Sequence, residues 1–229
     1  MKALAIDCAC SRMTVAAKNE DYSFTAIYDI GMRQSETLVP AIDYVLEKCG
    51  LAKNELDYTA LTVGPGSFTG LRLGISALKA IECAFGTPVY GISSLEAYAY
   101  PFVDSAVPTL ACIDANKDKF YAGIYHSGKI VLEDGDYDIP FLIDRLKNIP
   151  ELNFAGFEKD TTKLKELLGA ALPQTELLKL PVTAVTTESL FALAENKKTA
   201  GISPLQDYDG PVYLRASEAE LKLSTSSKA

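Results

Sequence analysis

A glycine-rich run between a strand-like segment and a helical segment restricts the possible folds of this chain more than any other feature. Residues 64–74 read Gly-Pro-Gly-Ser-Phe-Thr-Gly-Leu-Arg-Leu-Gly, and the helical spacing of apolar residues continues to Phe85. Such a turn can be a phosphate-binding loop, in which backbone N–H groups surround an anion. Alternatively, Gly66, Gly70 and Gly74 recur every four residues and would expose bare backbone along a helix for close packing. The two interpretations predict different functions.

The order of the predicted elements indicates an α/β protein built from two similar blocks. Apolar runs over roughly the first hundred residues predict three consecutive strands and then helices that alternate with strands. A second block follows, in which Thr-Leu-Ala-Cys-Ile-Asp at 109–114 resembles Ala-Leu-Ala-Ile-Asp at 3–7. We therefore predict an N-terminal domain over residues 1–103 and a C-terminal domain over residues 104–229. The last few residues are small and polar, and we expect them to be disordered.

The end of the first strand is a candidate phosphate site. Asp7 is followed by Cys-Ala-Cys-Ser, which supplies an acid and small residues. However, a glycine is missing where backbone N–H groups would close on a phosphate, and no Gly-Lys-Ser/Thr sequence follows Gly64 as in a Walker A loop. We favour a structural turn in which the Asp7 side chain caps backbone donors, and a nucleotide site is the alternative.

The residue types available disfavour metal and nucleophile catalysis. His126 is the only histidine, so a histidine-based metal site or a Ser-His-Asp arrangement would have to use it, and no Gly-x-Ser-x-Gly sequence is present. A carboxylate-only magnesium site could use Asp7 and Asp114, but aspartates at strand ends are more often turn formers. We interpret the five cysteines, which have scattered spacing, as reduced apolar residues. We predict no catalytic, cofactor-binding or metal-binding residues.

The charge of the chain argues against direct binding of nucleic acid. Its formal net charge is −8, so its electrostatic field repels polyanions. No apolar run approaches the roughly 18 residues that a membrane span needs, and the N-terminus lacks a signal-peptide pattern. We expect a cytoplasmic protein without membrane contact.

The helix predicted over residues 67–85 has a sector of apolar and small residues too wide for one sheet to cover. Each glycine inside it costs about 1 kcal/mol of helix propensity relative to alanine, a cost that close packing would offset. The second cover could be the helix predicted over residues 38–49, in a purely intramolecular contact, or another polypeptide. We favour a partner interface. Its predicted residues are Leu38, Ile42, Val45, Leu46, Gly70, Leu71, Gly74, Ala77, Leu78 and Ile81.

Five segments, taken together, resemble the TsaB (YeaZ) family: residues 5–7, 33–40, 64–74, 91–97 and 211–215. They occur in the family's order and extend over nearly the whole chain. The resemblance implies the actin-like ATPase fold (ASKHA, ribonuclease H-like), with two similar lobes that each hold a mixed sheet flanked by helices. The repeated blocks agree with that expectation.

The resemblance also implies a function. It implies a noncatalytic protein that assists the enzyme TsaD in forming threonylcarbamoyladenosine at adenosine 37 of tRNAs reading codons that begin with A. TsaD would be bound through the first-lobe helices, TsaE would join through the complex, and tRNA would be contacted only indirectly. A homodimer would use the same surface in the absence of TsaD. The family has no cofactor of its own, although a nucleotide at the partner interface is compatible with it.

Two positions depart from the family pattern. The family usually has a histidine where Gln34 stands and an arginine where Asn116 stands, so we transfer no role to either residue. The alternative function is a self-sufficient ATPase or phosphotransferase of the same fold, which predicts tight binding of ATP and magnesium that depends on Asp7. A peptidase would need a nucleophile or a metal site that the sequence does not indicate.

Overall fold

Two five-stranded mixed sheets form the framework of the protein, in a computed structural model that describes residues 1–31, 33–179 and 186–215. The last few residues, for which we predict disorder, lie outside the described part of the chain. None of the described helices is long and apolar enough to cross a membrane.

The first sheet combines an antiparallel meander with parallel crossovers. Its strands are β1 (Lys2–Asp7), β2 (Arg12–Asn19), β3 (Tyr22–Asp29), β4 (Tyr58–Gly64) and β5 (Val89–Ser93), in the spatial order β3-β2-β1-β4-β5. The pairs β1–β2 and β2–β3 are antiparallel, whereas β1–β4 and β4–β5 are parallel. Helix α1 (Gln34–Lys48) joins β3 to β4, and helix α2 (Phe68–Phe85) joins β4 to β5. The predicted meander followed by crossovers is confirmed.

The second sheet repeats the topology of the first. It contains β6 (Thr109–Asp114), β7 (Lys119–His126), β8 (Lys129–Asp138), β9 (Glu151–Ala155) and β10 (Glu176–Lys179), in the order β10-β9-β6-β7-β8. Helix α3 (Ser94–Ala99) precedes this sheet, α4 (Ile139–Leu146) joins β8 to β9, and α5 (Glu158–Gly169) joins β9 to β10. Each sheet therefore begins with a hairpin-connected meander and continues with parallel strands, which confirms the predicted α/β class with two mixed sheets.

Both faces of the first sheet are covered, by different parts of the chain. Leu4 and Ile6 of β1 face α1 and α2, whereas the alternate residues Ala3 and Ala5 face helix α6 (Thr187–Thr199). Small alanine side chains let the backbone of α6 lie close to the strands, because side chains on a strand alternate between the faces. The domain boundary after residue 103 stays a prediction, but α6, which lies beyond it in sequence, packs on the first sheet.

Candidate functional site

The glycine-rich run, residues 64–74, allows the start of α2 to pack against the turn between β1 and β2. Ser67 caps α2, because its hydroxyl oxygen accepts a hydrogen bond from the Gly70 N–H at 3.3 Å, and its own N–H donates to the Ala9 carbonyl at 2.6 Å. A Cβ added at Gly66 would overlap the Ala9 carbonyl oxygen, and one added at Gly70 would overlap that of Cys8. The glycines thus allow the β1–β2 turn to approach α2.

This packing refines the role predicted for the glycines. They expose bare backbone, as expected: Gly66 exposes it to the turn after β1, and Gly70 exposes it both to that turn and to Gln34 of α1. A Cβ at Gly74 would lie 3.5 Å from a methyl group of Leu61 in the chain's own sheet, at ordinary van der Waals distance. Gly70 is the one of the three that also faces a second helix, because a Cβ there would lie 3.0 Å from Oε1 of Gln34 in α1.

Residues 211–215, one of the five segments that carry the family resemblance, lie against the same glycine-rich turn. The Val212 N–H donates to the Val63 carbonyl oxygen at 2.7 Å. The ring of Tyr213 stacks on Phe68 with 4.9 Å between centroids, and its hydroxyl accepts a hydrogen bond from Arg72 Nε at 2.8 Å. Two segments about 140 residues apart in sequence are therefore joined at the start of α2.

Asp7 is a buried structural carboxylate whose two oxygens are both engaged within the protein. Only 3% of the residue is exposed. Its Oδ1 accepts hydrogen bonds from the Ala9 N–H and the Thr62 hydroxyl, each at 2.9 Å, and its Oδ2 accepts one from the Thr186 hydroxyl at 2.6 Å. Burial raises the pKa of Asp7, while these three hydrogen bonds act in the opposite direction. This geometry supports the turn-capping interpretation of Asp7.

Substitution of Asp7 should change how the unfolding free energy of the protein depends on pH. Because the folded-state pKa is raised, the parent loses stability as the pH rises through that pKa, whereas an asparagine does not titrate. The unfolding free energy of Asp7→Asn should therefore improve relative to the parent as the pH rises from about 4 through the raised folded-state pKa of Asp7. Asp7→Ala should instead cost about 2 kcal/mol, since it leaves three buried donors without an acceptor. Urea unfolding across this pH range measures both effects, and a pH-independent difference for Asp7→Asn would contradict the argument.

A cleft of about 390 Å³ separates the two lobes beside the turn after β1. Its lining includes Ser11 and Ser67 from the first lobe and Asp114, Lys159 and Asp160 from the second. This is where the alternative nucleotide site would lie. One Asp114 oxygen accepts from Lys163 Nζ at 2.8 Å and the other from the Asn116 N–H at 2.9 Å, so both oxygens of this carboxylate also have partners within the chain.

The two residues that depart from the family pattern both serve the chain's own turns. Gln34 is buried, and its Nε2 donates to the Cys10 carbonyl oxygen at 2.6 Å, which ties α1 to the β1–β2 turn. Asn116 adopts a left-handed backbone with φ of 61°, a conformation that asparagine tolerates better than most residues, in the turn that Asp114 caps. Among the described residues, no three histidine, cysteine or acidic side chains are grouped closely enough to hold a metal ion.

Nearly all residues predicted for the partner interface are buried within the chain itself. They hold α1 and α2 on the first sheet and against each other, although Ile42 and Ile81 also line a groove that is open at the surface. Ala77 is half-buried. The interface and its residue assignment both stay predictions. The nine buried residues are Leu38, Ile42, Val45, Leu46, Gly70, Leu71, Gly74, Leu78 and Ile81.

The surface that α1 and α2 leave open is an apolar groove, here called the α1–α2 groove. It has a volume of about 250 Å³ and is lined by Val39, Ile42, Lys53, Ala77, Ala80, Ile81 and Phe85. Val39 is 57% exposed and Phe85 is 48% exposed, while Ile42 and Ile81 are buried beneath them. Sequence reasoning missed Val39, although an apolar side chain beside the buried stripe of α1 was the signal that could have indicated it.

The chain is similar in sequence to proteins of threonylcarbamoyladenosine synthesis. The family described as TsaD, tRNA N6-adenosine threonylcarbamoyltransferase, matches residues 31–200. The "tRNA threonylcarbamoyladenosine biosynthesis protein TsaB" of Bacillus subtilis is 28% identical over 239 aligned residues, which cover 100% of both chains.

Solved structures agree with this similarity. A Pseudomonas aeruginosa protein, described as similar to peptidase YeaZ, has a TM-score of 0.72 and 25% identity over 93% of this chain and 99% of its own. The activator of 2-hydroxyisocaproyl-CoA dehydratase from Clostridium difficile, solved with bound ADPNP, has a TM-score of 0.53 and 11% identity, and the match covers 92% of this chain and 100% of its own. The latter shows the fold alone, and together these neighbours confirm the predicted two-lobed actin-like architecture.

Proposed function

The chain belongs to the TsaD threonylcarbamoyltransferase family, within its TsaB (YeaZ) group, and we propose that it is a noncatalytic scaffold and activator of a TsaD-type enzyme. The reaction it supports would be threonylcarbamoyladenosine formation at adenosine 37 of tRNAs reading codons that begin with A. The chain would act in the cytoplasm, where it would hold the enzyme in an active arrangement.

The α1–α2 groove is the observation that carries this proposal. Two large apolar side chains, Val39 and Phe85, stand about half-exposed above a buried apolar floor. Covering such side chains with a partner removes apolar area from water, which stabilises a complex by about 25 cal/mol per Å² before the costs of association. The helices of a related first lobe would present a groove of the same kind, so a TsaD-type protein is the natural occupant and a second copy of this chain is the occupant in its absence.

The charge and the buried carboxylate support a noncatalytic role. With a net charge of −8, the chain is a poor tRNA binder, so tRNA contact falls to the TsaD-type partner. Asp7 is turned into the protein by its three hydrogen bonds, which leaves it unsuited to hold magnesium for a phosphoryl transfer. TsaE would join through the complex, and any nucleotide would be bound at the partner interface.

Reconstitution with the TsaD-type enzyme of the same organism tests the proposal. Threonylcarbamoyladenosine formation on tRNA should depend on the chain, and co-purification should recover both proteins in one complex on a sizing column. The Asp7→Asn variant should support formation at the parent's rate. Full activity of the enzyme without this chain would contradict the scaffold role.

Calorimetry with the isolated chain separates the scaffold from the alternative enzyme. A self-sufficient ATPase or phosphotransferase predicts micromolar affinity for ATP and magnesium that Asp7→Asn removes. We expect no such Asp7-dependent binding. If calorimetry shows it, the ATPase interpretation replaces the scaffold.

A further inference from the structure

A second cavity lies on the opposite face of the first sheet from the α1–α2 groove. It has a volume of about 440 Å³ and is enclosed by α3, the 3-10 helix Tyr100–Phe102, the β7–β8 hairpin and α6. This size falls within the usual range for small-molecule sites. The proposed scaffold function makes no use of it.

Most of the cavity wall is apolar. The wall therefore suits the hydrocarbon part of a ligand, because it can remove that part from water without leaving polar groups of the protein unpaired. The apolar side chains of this wall include Ala99, Phe102, Val103, Ile130, Leu193 and Ile202.

The cavity wall includes a carboxylate without a hydrogen-bond partner among the described residues. Glu96 lines the cavity, and its carboxylate has no hydrogen bond or ion pair within the described ranges 1–31, 33–179 and 186–215. Lys197 also lines it and acts on Glu96 electrostatically, while its ammonium group donates to the Gly91 carbonyl oxygen at 2.8 Å. Asp134, which is close enough to act on Glu96 electrostatically, adds a second negative charge. Two carboxylates and one ammonium group leave the local charge negative, which favours a cation.

A buried hydroxyl in the same cavity also lacks a partner. Thr109 lines the cavity with only 2% of the residue exposed, and its Oγ1 has no hydrogen-bond partner in the described structure. Buried polar atoms are rarely left unpaired in native proteins, so an orphaned hydroxyl indicates that the cavity normally holds a polar group. This observation is independent of the charge at Glu96.

We propose that this cavity binds a small organic amine, with its ammonium group on the Glu96 carboxylate and its apolar body against the apolar wall. The Thr109 hydroxyl would bond to a polar group of the ligand or to a water held with it. An acidic ligand bound through Lys197 is the competing possibility, and the experiment below distinguishes the two.

Three matched probes test the proposal on the full chain: 2-phenylethylamine, 2-phenylethanol and 3-phenylpropionate. They share an aromatic body and differ in charge. His126 lines the cavity and is the only histidine, so its imidazole C–H signals in a proton NMR spectrum report on the site without assignment of the chain. We expect a saturable shift with the amine at a dissociation constant at least tenfold lower than with the alcohol or the acid.

The Glu96→Gln variant tests the anchor. It should weaken binding of the amine at least tenfold and leave binding of the alcohol unchanged, whereas Glu166→Gln on the exposed face of α5 should change neither. The amine proposal is overturned if the parent shows no saturable shift, if it prefers 3-phenylpropionate, or if a folded Glu96→Gln variant binds the amine as the parent does. The comparison of probes on the parent chain stands even where the variant fails to fold.

Discussion

Replacing Gly70 with alanine should lower the unfolding free energy of this protein by at least about 3 kcal/mol. The added methyl group would overlap the carbonyl oxygen of Cys8, which is backbone and cannot rotate away. The neighbouring Asp7 and Ala9 are held by buried hydrogen bonds, so the turn has little freedom to move. Urea unfolding followed by circular dichroism measures the loss, provided that the m-value stays that of the parent.

Gly74→Ala is the matched control, four residues later on the same helix. Its methyl group would lie 3.5 Å from a methyl of Leu61 and 3.9 Å from Ile6, which is ordinary contact. Because alanine is a better helix former than glycine by about 1 kcal/mol, this variant should be as stable as the parent or more so. Equal losses at both positions would contradict the packing described for the glycine-rich run.

The sequence was sufficient to predict the architecture because the relevant signals are local. Each signal is contained within a few residues: short apolar runs, strand-ending aspartates at residues 7 and 114, and the serine and glycine that bound α2. The repetition of one block by the other then predicted two similar sheets. The placement of α6 on the first sheet was not predictable in this way, because it depends on a contact between residues nearly two hundred positions apart.

The candidate site was harder to predict because helical periodicity shows which residues are apolar but not which of them the chain itself covers. Leu38 and Leu78 read as possible interface residues, yet α1 and α2 lie side by side on the sheet and bury both. The exposed large apolar residues that line the α1–α2 groove lie at the margins of the two stripes, at Val39 and Phe85. Likewise, the spacing of Gly66 and Gly70 predicted close approach, but the identity of the approaching atoms required the fold.

Val39→Glu should reduce the affinity of the chain for its TsaD-type partner at least about a hundredfold. A carboxylate at this position would have to be desolvated against the apolar groove when the partner binds, which costs several kcal/mol, because Lys53, the cation in the groove lining, is already paired with Asp43. The same substitution should hardly affect the folded chain, because Val39 is 57% exposed and faces water in the free protein. Phe85→Ala, which removes apolar area without adding charge, should weaken binding by about tenfold.

Val131→Glu provides the control for the introduced charge. Val131 is also 57% exposed, but it lies on β8 at the edge of the second sheet, away from α1 and α2. Titration calorimetry or surface plasmon resonance with the immobilised enzyme should give parent-like affinity for Val131→Glu and a severe loss for Val39→Glu. Threonylcarbamoyladenosine formation should follow the same order. If both valine variants bind equally well, the partner does not use the α1–α2 groove, and the scaffold would have to contact its enzyme through another face.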